Sequence, residues 1–263
     1  MSFKIAVVGK GGVGKTTIAG TLARLFAKNG YRVIAIDADP SMNLFTSIGI
    51  HETKIKDIVP ISDQKKIIEE RAGKSGGIYI LNPKVDDLPE KFQIIGPDNV
   101  RLLVMGTVKK SNSGCMCPDN ALIRALISHL ILDVKDVVIL DMVAGIEHFG
   151  RGTAKAVDAM LIVVEPSKKS IVLAEKIKEL ALELGIKNLF IIGNKIANED
   201  QKQFIIQNAK RLELPILSFI PEDEKIKEAD LKSIAPIDYD ENSEAINSIK
   251  QIFEKLTNNV FNN

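Results

Sequence analysis

The 263-residue sequence has no apolar run near 18 residues and no secretory-type hydrophobic region, so neither export nor a membrane span is expected and the cytoplasm is the expected location. Repeats, low-complexity tracts and linker-like stretches are missing as well, which leaves residues 1–263 expected as a single domain. Net charge is nearly absent. With 35 basic and 34 acidic side chains the balance is +1, which argues against broad electrostatic binding to nucleic acid. Cysteine is scarce: Cys115 and Cys117, both in "GCMCP", cannot build a disulfide framework and read as free thiols or metal ligands.

What is present is a strong alternation. The runs 3–9, 31–37, 100–106, 136–141, 159–165, 188–193 and 215–220 are almost continuously apolar, as suits parallel strands covered on both faces. Amphipathic stretches lie between them, such as "TTIAGTLARLFAKNG", with Ile18, Leu22, Leu25 and Phe26 on one stripe and Gly30 as a stop. The pattern predicts an α/β fold: a doubly wound, mostly parallel sheet flanked by helices. Segment 41–99 is less regular and reads as helices plus a short peripheral strand near "GIYIL". The C-terminal stripe Ile246, Ile249, Phe253 and Leu256 lacks a basic face, so it is expected to dock on the sheet and not to hold a membrane.

Six polar clusters follow the predicted carboxyl ends of strands, the edge where open α/β sheets bind ligands: Gly9–Thr17, Asp37/Asp39, Cys115/Cys117, Asp141, Asn194 and Pro221–Asp223. The first, "GKGGVGKTT", fits the phosphate-loop pattern G-x-x-x-x-G-K-[ST] between a strand and a helix. Backbone N–H groups of Gly11, Gly12, Val13, Gly14, Lys15, Thr16 and Thr17 are candidates to cradle phosphates. Lys15 would reach the outer phosphates and the Thr16 hydroxyl would take Mg²⁺. Asp141 would hold that ion through water. Of the pair after the second strand, one carboxylate is expected to face the γ-phosphate, and Asp39 is preferred for orienting the attacking water. "GNKIA" resembles a guanine-reading N-K-x-D but has Ala197 where the carboxylate belongs, which favours ATP, with Asn194 at the adenine edge.

Lys10 is one lysine more than the pattern needs. "KGGVGKTT" resembles the deviant Walker A signature of the MinD/ParA/nitrogenase-iron-protein ATPases. That resemblance implies an ATP-dependent homodimer in which Lys10 reaches the partner's phosphates and makes hydrolysis depend on dimerisation. It also implies that Asp39 is the switch I carboxylate, that Asp141 opens switch II, and that Pro221 and Asp223 of "IPEDEKI" line the base. "SGCMCPDNALIRALI" and "DMVAGIEHFGRGT" are similar to the CooC branch, accessory ATPases for nickel insertion into carbon monoxide dehydrogenase or acetyl-CoA synthase. The catalytic subunit of such an enzyme is the implied client. Val143 stands where this branch is expected to have an acidic residue.

Two thiolates are half of a soft-metal site. A symmetric dimer with the motif near its two-fold axis supplies four, for Ni²⁺ or Zn²⁺, which the thiolates by themselves do not distinguish. Pro118 suits the first turn of a helix with Cys117 as cap, and a helix N-terminus there would lower the thiol pKa. His51, His129 and His148 read as surface or packing residues. Two other readings stay open: a positioning or partitioning ATPase, and an iron–sulfur carrier resembling the nitrogenase iron protein.

Overall fold

The computed structural model describes residues 3–75, 78–80, 82–106, 118–143 and 156–260. The strands are β1 Lys4–Gly9, β2 Val33–Ala38, β3 Lys74–Ser75, β4 Ile78–Tyr79, β5 Ile94–Ile95, β6 Arg101–Val104, β7 Val137–Val143, β8 Ala159–Val164, β9 Leu189–Ile196 and β10 Ile216–Pro221. Eight of them form one sheet in the order β10-β9-β8-β1-β7-β2-β6-β5. Every pairing in it is parallel except β5 with β6, which is antiparallel at the edge. The strand near "GIYIL" is β4, but it pairs with β3 in a separate two-stranded ribbon. The edge strand β5 has two residues, too few to carry any periodicity.

The continuous apolar runs are explained by two cores. Ile5, Val7, Val33 and Ala35 face one, while Ala6, Val8, Ile34 and Ile36 face the other, as a period of two demands. The first core is covered by α1 (Lys15–Lys28), α2 (Leu44–Ile48) and the C-terminal helix Glu244–Lys255, through Ile18, Leu22, Phe26, Leu44, Ile48, Ile246, Ile249 and Ile252. The second lies under helices Lys65–Ala72, Pro118–Leu132, Lys168–Leu184 and Glu199–Arg211. The doubly wound sheet with helices on both faces is therefore the observed architecture.

The C-terminal helix is docked as its stripe predicts. Ser243 caps it by accepting the Ile246 N–H at 3.3 Å, and Phe253 meets Phe26 edge-on at 4.8 Å between ring centroids. Phe26 is fully buried, so its truncation to alanine should cost about 3–5 kcal/mol. No helix among the described residues is long and apolar enough to cross a membrane.

Candidate functional site: a phosphate loop at the carboxyl edge of the sheet

Strand β1 enters the centre of the sheet between β7 and β8 and releases the chain into the loop at Gly9. A Cβ at Gly9 would stand 2.5 Å from the Val163 carbonyl, and its φ of 155° lies where side chains are disfavoured. Gly14, with φ 95°, starts α1; a Cβ there would lie 2.2 Å from Asn194 Nδ2. That amide nitrogen donates to the Val13 carbonyl at 2.7 Å, and Lys195 Nζ donates to the Gly12 carbonyl at 2.7 Å. The loop is thus held from the end of β9 by two neighbouring side chains. Lys195 does so with a left-handed backbone, φ 57°.

Lys15 is 3% exposed, and its ammonium lies 3.3 Å from both the Lys10 carbonyl and Asp39 Oδ2. Burial would raise the Asp39 carboxyl, but the Ser41 N–H at 3.0 Å, its hydroxyl at 2.7 Å and the Lys15 charge hold it below its ordinary pKa. Asp39 is therefore ionised at neutral pH beside the cation that the pattern assigns to the phosphates. Thr16 donates its hydroxyl to Asp141 Oδ2 at 2.6 Å. The other carboxylate oxygen, Oδ1, is buried and has no partner among the described residues. Burial pushes Asp141 up to about 6, against the pull of Thr16 and Lys15.

That orphaned oxygen tests whether the site suits Mg²⁺. A hydroxyl and an under-satisfied carboxylate side by side fit a hard cation that takes its remaining ligands from phosphates and water. Among the described residues no three His, Cys, Asp or Glu side chains form a protein-only cage, so phosphate oxygens would have to complete the shell. When bound, the ion would neutralise charge on the outer phosphates.

Asp37 plays a different part from Asp39. It is fully buried and accepts the Leu44 N–H at 3.0 Å and the Asp39 N–H at 3.2 Å, shaping the loop that carries Asp39. Burial first, then the charges of Asp141 and Asp39, push it up to about 7. Asp37 and Asp141 are also register neighbours on β2 and β7.

Beyond the loop opens a cavity of about 680 Å³ lined by Gly11, Gly12, Gly14, Lys15, Thr16, Thr17, Asp39, Asn194, Pro221 and Asp223. Ile220, Ile226, Ile234 and Ile249 also line it, together with the polar Glu222, Lys227, Asp230 and Ser233, a mixture of apolar surface and hydrogen-bonding groups that suits a base. Val13 is buried behind the loop. Both oxygens of Asp223 serve the backbone, accepting the Lys225 N–H at 2.8 Å and the Ala245 N–H at 3.0 Å. Asp223 therefore shapes the wall through the backbone, with one further lone pair on each oxygen beyond these two bonds.

Three placements correct the simple strand-end picture. Asp37, Asp141 and Asn194 lie inside β2, β7 and β9, not after them, because these strands run past the apolar runs. Val143 is the last residue of β7. His51 caps the short helix Glu52–Lys54 by accepting the Thr53 N–H at 3.3 Å, and His129 pairs with Asp133 at 3.1 Å. Cys115, Cys117 and His148 lie outside the described residues, although the helix after the cysteines does start at Pro118. Sequence reasoning missed Glu165, which accepts from Lys10 Nζ at 3.0 Å, together with Lys195 and Ser41. Glu165 does close an apolar run at the phosphate edge, the same signal that singled out the other clusters.

A phosphate loop at the carboxyl edge, a buried lysine on an ionised aspartate, and a threonine on a second aspartate define a nucleotide-binding P-loop protein. The model of the CobQ/CobB/MinD/ParA nucleotide-binding domain matches residues 4–237, and the chain belongs to this family. It is 49% identical over 258 residues to an uncharacterised ATP-binding protein of Methanocaldococcus jannaschii, covering 96% of this chain and 97% of the relative. It is 46% identical over 238 residues, 89% of each chain, to the carbon monoxide dehydrogenase accessory protein CooC of Rhodospirillum rubrum, which places it in the CooC branch. Among solved structures, MinD in the MinC:MinD complex of Aquifex aeolicus superposes with TM-score 0.70 at 23% identity, covering 97% of this chain and 95% of that one. At that identity the likeness bears on the fold alone.

Proposed function

We propose that this chain is a Mg²⁺-dependent ATPase that dimerises on ATP and delivers nickel during maturation of the metal centre of carbon monoxide dehydrogenase or acetyl-CoA synthase. One observation carries the hydrolytic half: Lys15 is paired with ionised Asp39 while Thr16 is paired with Asp141, all at the head of one cavity. Lys15 supplies a fixed charge for the outer phosphates, and Asp39 orients or deprotonates the attacking water. The client and cargo are inferred from the likeness to CooC, and the cargo would be held by Cys115 and Cys117 of two subunits. The whole chain is taken to act as one domain, without nucleic acid or membrane as partner. Lys10 is taken to reach the partner's nucleotide in the ATP-bound dimer.

A metal titration with and without a non-hydrolysable ATP analogue tests the reading. Saturation is expected near one Ni²⁺ or Zn²⁺ per dimer, with affinity falling as pH drops toward the thiol pKa. Cys115→Ser or Cys117→Ser should remove the metal and leave ATP binding intact. Metal and nucleotide should change each other's affinity by one common factor. One metal per monomer, or binding that survives loss of both cysteines, would overturn the shared site.

A further inference from the structure

Lys10 and Lys15 stand five residues apart in one loop, yet their side chains go to different places. Lys15 turns inward. Lys10 lies back across the loop toward the end of β8, where its ammonium meets Glu165 Oε1 at 3.0 Å; the two side chains are 40% and 23% exposed. Glu165 follows directly on Val164, the last residue of β8, and is fixed in advance of any ligand. Its N–H donates to Ser170 Oγ at 3.2 Å, and its carboxylate accepts the Ser167 hydroxyl at 3.2 Å. Ser167 is itself the cap of helix Lys168–Leu184, so the carboxylate sits at a helix N-terminus, where negative charge is favoured.

We infer that Glu165 is a latch: it holds Lys10 within its own subunit and so sets the threshold for ATP-driven dimerisation. The inference rests on the dimer reading above and adds to it the group that competes for Lys10. A lysine paired with a carboxylate in its own subunit cannot at the same time reach phosphates in another. Every dimer must therefore break two such pairs. The exchange is feasible because Lys10 is partly exposed and leaves without disturbing the core. Glu165 is not stranded by it, since the Ser167 hydroxyl and the nearby Lys195 charge remain. Gly11 and Gly12 would have open space around a Cβ, so nothing packs over this side of the loop. A polyanionic phosphate chain offers more charge than one carboxylate and wins the lysine when brought close.

The experiment is light scattering of wild type, Glu165→Gln and Glu165→Asp against protein concentration, with a slowly hydrolysed ATP analogue and Mg²⁺. Glutamine keeps the shape and the serine contacts; aspartate withdraws the carboxylate. Releasing an exposed pair is worth about two- to five-fold per subunit, so the dimerisation constant should tighten by about 4- to 25-fold in Glu165→Gln. The Glu165→Asp variant should shift the same way. The gap between wild type and variant should shrink at high salt, which a merely structural role for Glu165 would not produce. Analogue affinity measured at monomer concentrations should stay within about two-fold. Unchanged or weaker dimerisation in both folded variants, with wild type still dimerising, overturns the latch alone. Wild type that binds the analogue and stays monomeric overturns the dimer reading, and the latch with it.

Discussion

The two edges of the sheet carry similar numbers of charged groups and treat them in opposite ways. At the amino edge, Lys4 donates to the carbonyls of Val134 at 2.5 Å and Asp136 at 2.9 Å. Asp136 is paired with Arg101 and lies 3.4 Å from Arg32, and Asp158 accepts the Lys4 N–H at 2.8 Å. Each of these charges has partners. At the carboxyl edge, Asp39 and Asp141 share one buried lysine, Asp37 lies beside them on backbone N–H groups, and one carboxylate oxygen of Asp141 has no partner among the described residues. Buried polar groups are normally satisfied, so an edge left with surplus negative charge is one arranged for a cation and its ligands. The amino edge serves stability; the carboxyl edge gives up some stability for binding.

The largest effect should come from Lys15→Ala, which takes away the cation that balances the carboxyl edge. Steady-state phosphate release should fall by about 10²–10³-fold, with the fold intact by circular dichroism. Undiminished turnover would remove the phosphate-loop reading. Asp39→Ala should slow hydrolysis by about 10²-fold while still binding ATP, which traps the nucleotide-bound state. Normal hydrolysis there would move the water-orienting role elsewhere.

Asp136→Ala attacks the opposite edge. It strands Arg101 and should cost about 2–3 kcal/mol in denaturant unfolding, with nucleotide affinity unchanged. A loss of ATP binding equal to that of a phosphate-edge variant would erase the distinction between the edges.

The smallest effect is the most diagnostic. Asp37 and Asp141 have folded pKa values of about 7 and about 6, above the 3.8 of an unfolded aspartate. Between those limits the folded state binds more protons, so their contribution to stability is full below about pH 4 and is lost as pH rises toward 7. Asp141→Asn removes one such group and should raise the melting temperature of the nucleotide-free protein at pH 7.5 by about 2–4 °C. The gain should shrink at pH 5, and Mg²⁺ with an ATP analogue should stabilise wild type more than the variant. An Asp141→Asn protein that melts lower than wild type at pH 7.5 would mean that its carboxylate is satisfied after all.

Much of this was legible beforehand. The seven apolar runs became seven strands of the main sheet, because strands covered on both faces leave an unmistakable continuous pattern. The phosphate loop was legible because its glycines and lysine follow from local backbone geometry. The two-residue strands β3 and β5 were not, since a strand that short has no period to detect; β4 near "GIYIL" was expected as a peripheral strand, but its pairing with β3 was not. Nor were the partners of the loop. Lys10 with Glu165 and Val13 with Asn194 join residues 155 and 181 positions apart, separations that only the strand order brings together, whereas Thr16 and Asp141, 125 apart, were expected around one Mg²⁺. Asp37 and Asp39 looked alike in "DADP"; what separates them is which one meets backbone amides and which meets an ammonium.

Gly20, in the middle of α1, has one further consequence. A Cβ there would lie 2.5 Å from the Cβ of Ser47 and 2.8 Å from its carbonyl carbon, so α1 and α2 touch with almost nothing between them. The first of these helices begins at the phosphate-binding lysine, and the second follows the turn that carries Asp39. Two helices in such close contact leave no room for even a methyl group between them. Gly20 therefore sets how near the helix that begins at Lys15 lies to the helix behind the Asp39 turn, and any side chain there would push Lys15 and Asp39 out of their present spacing.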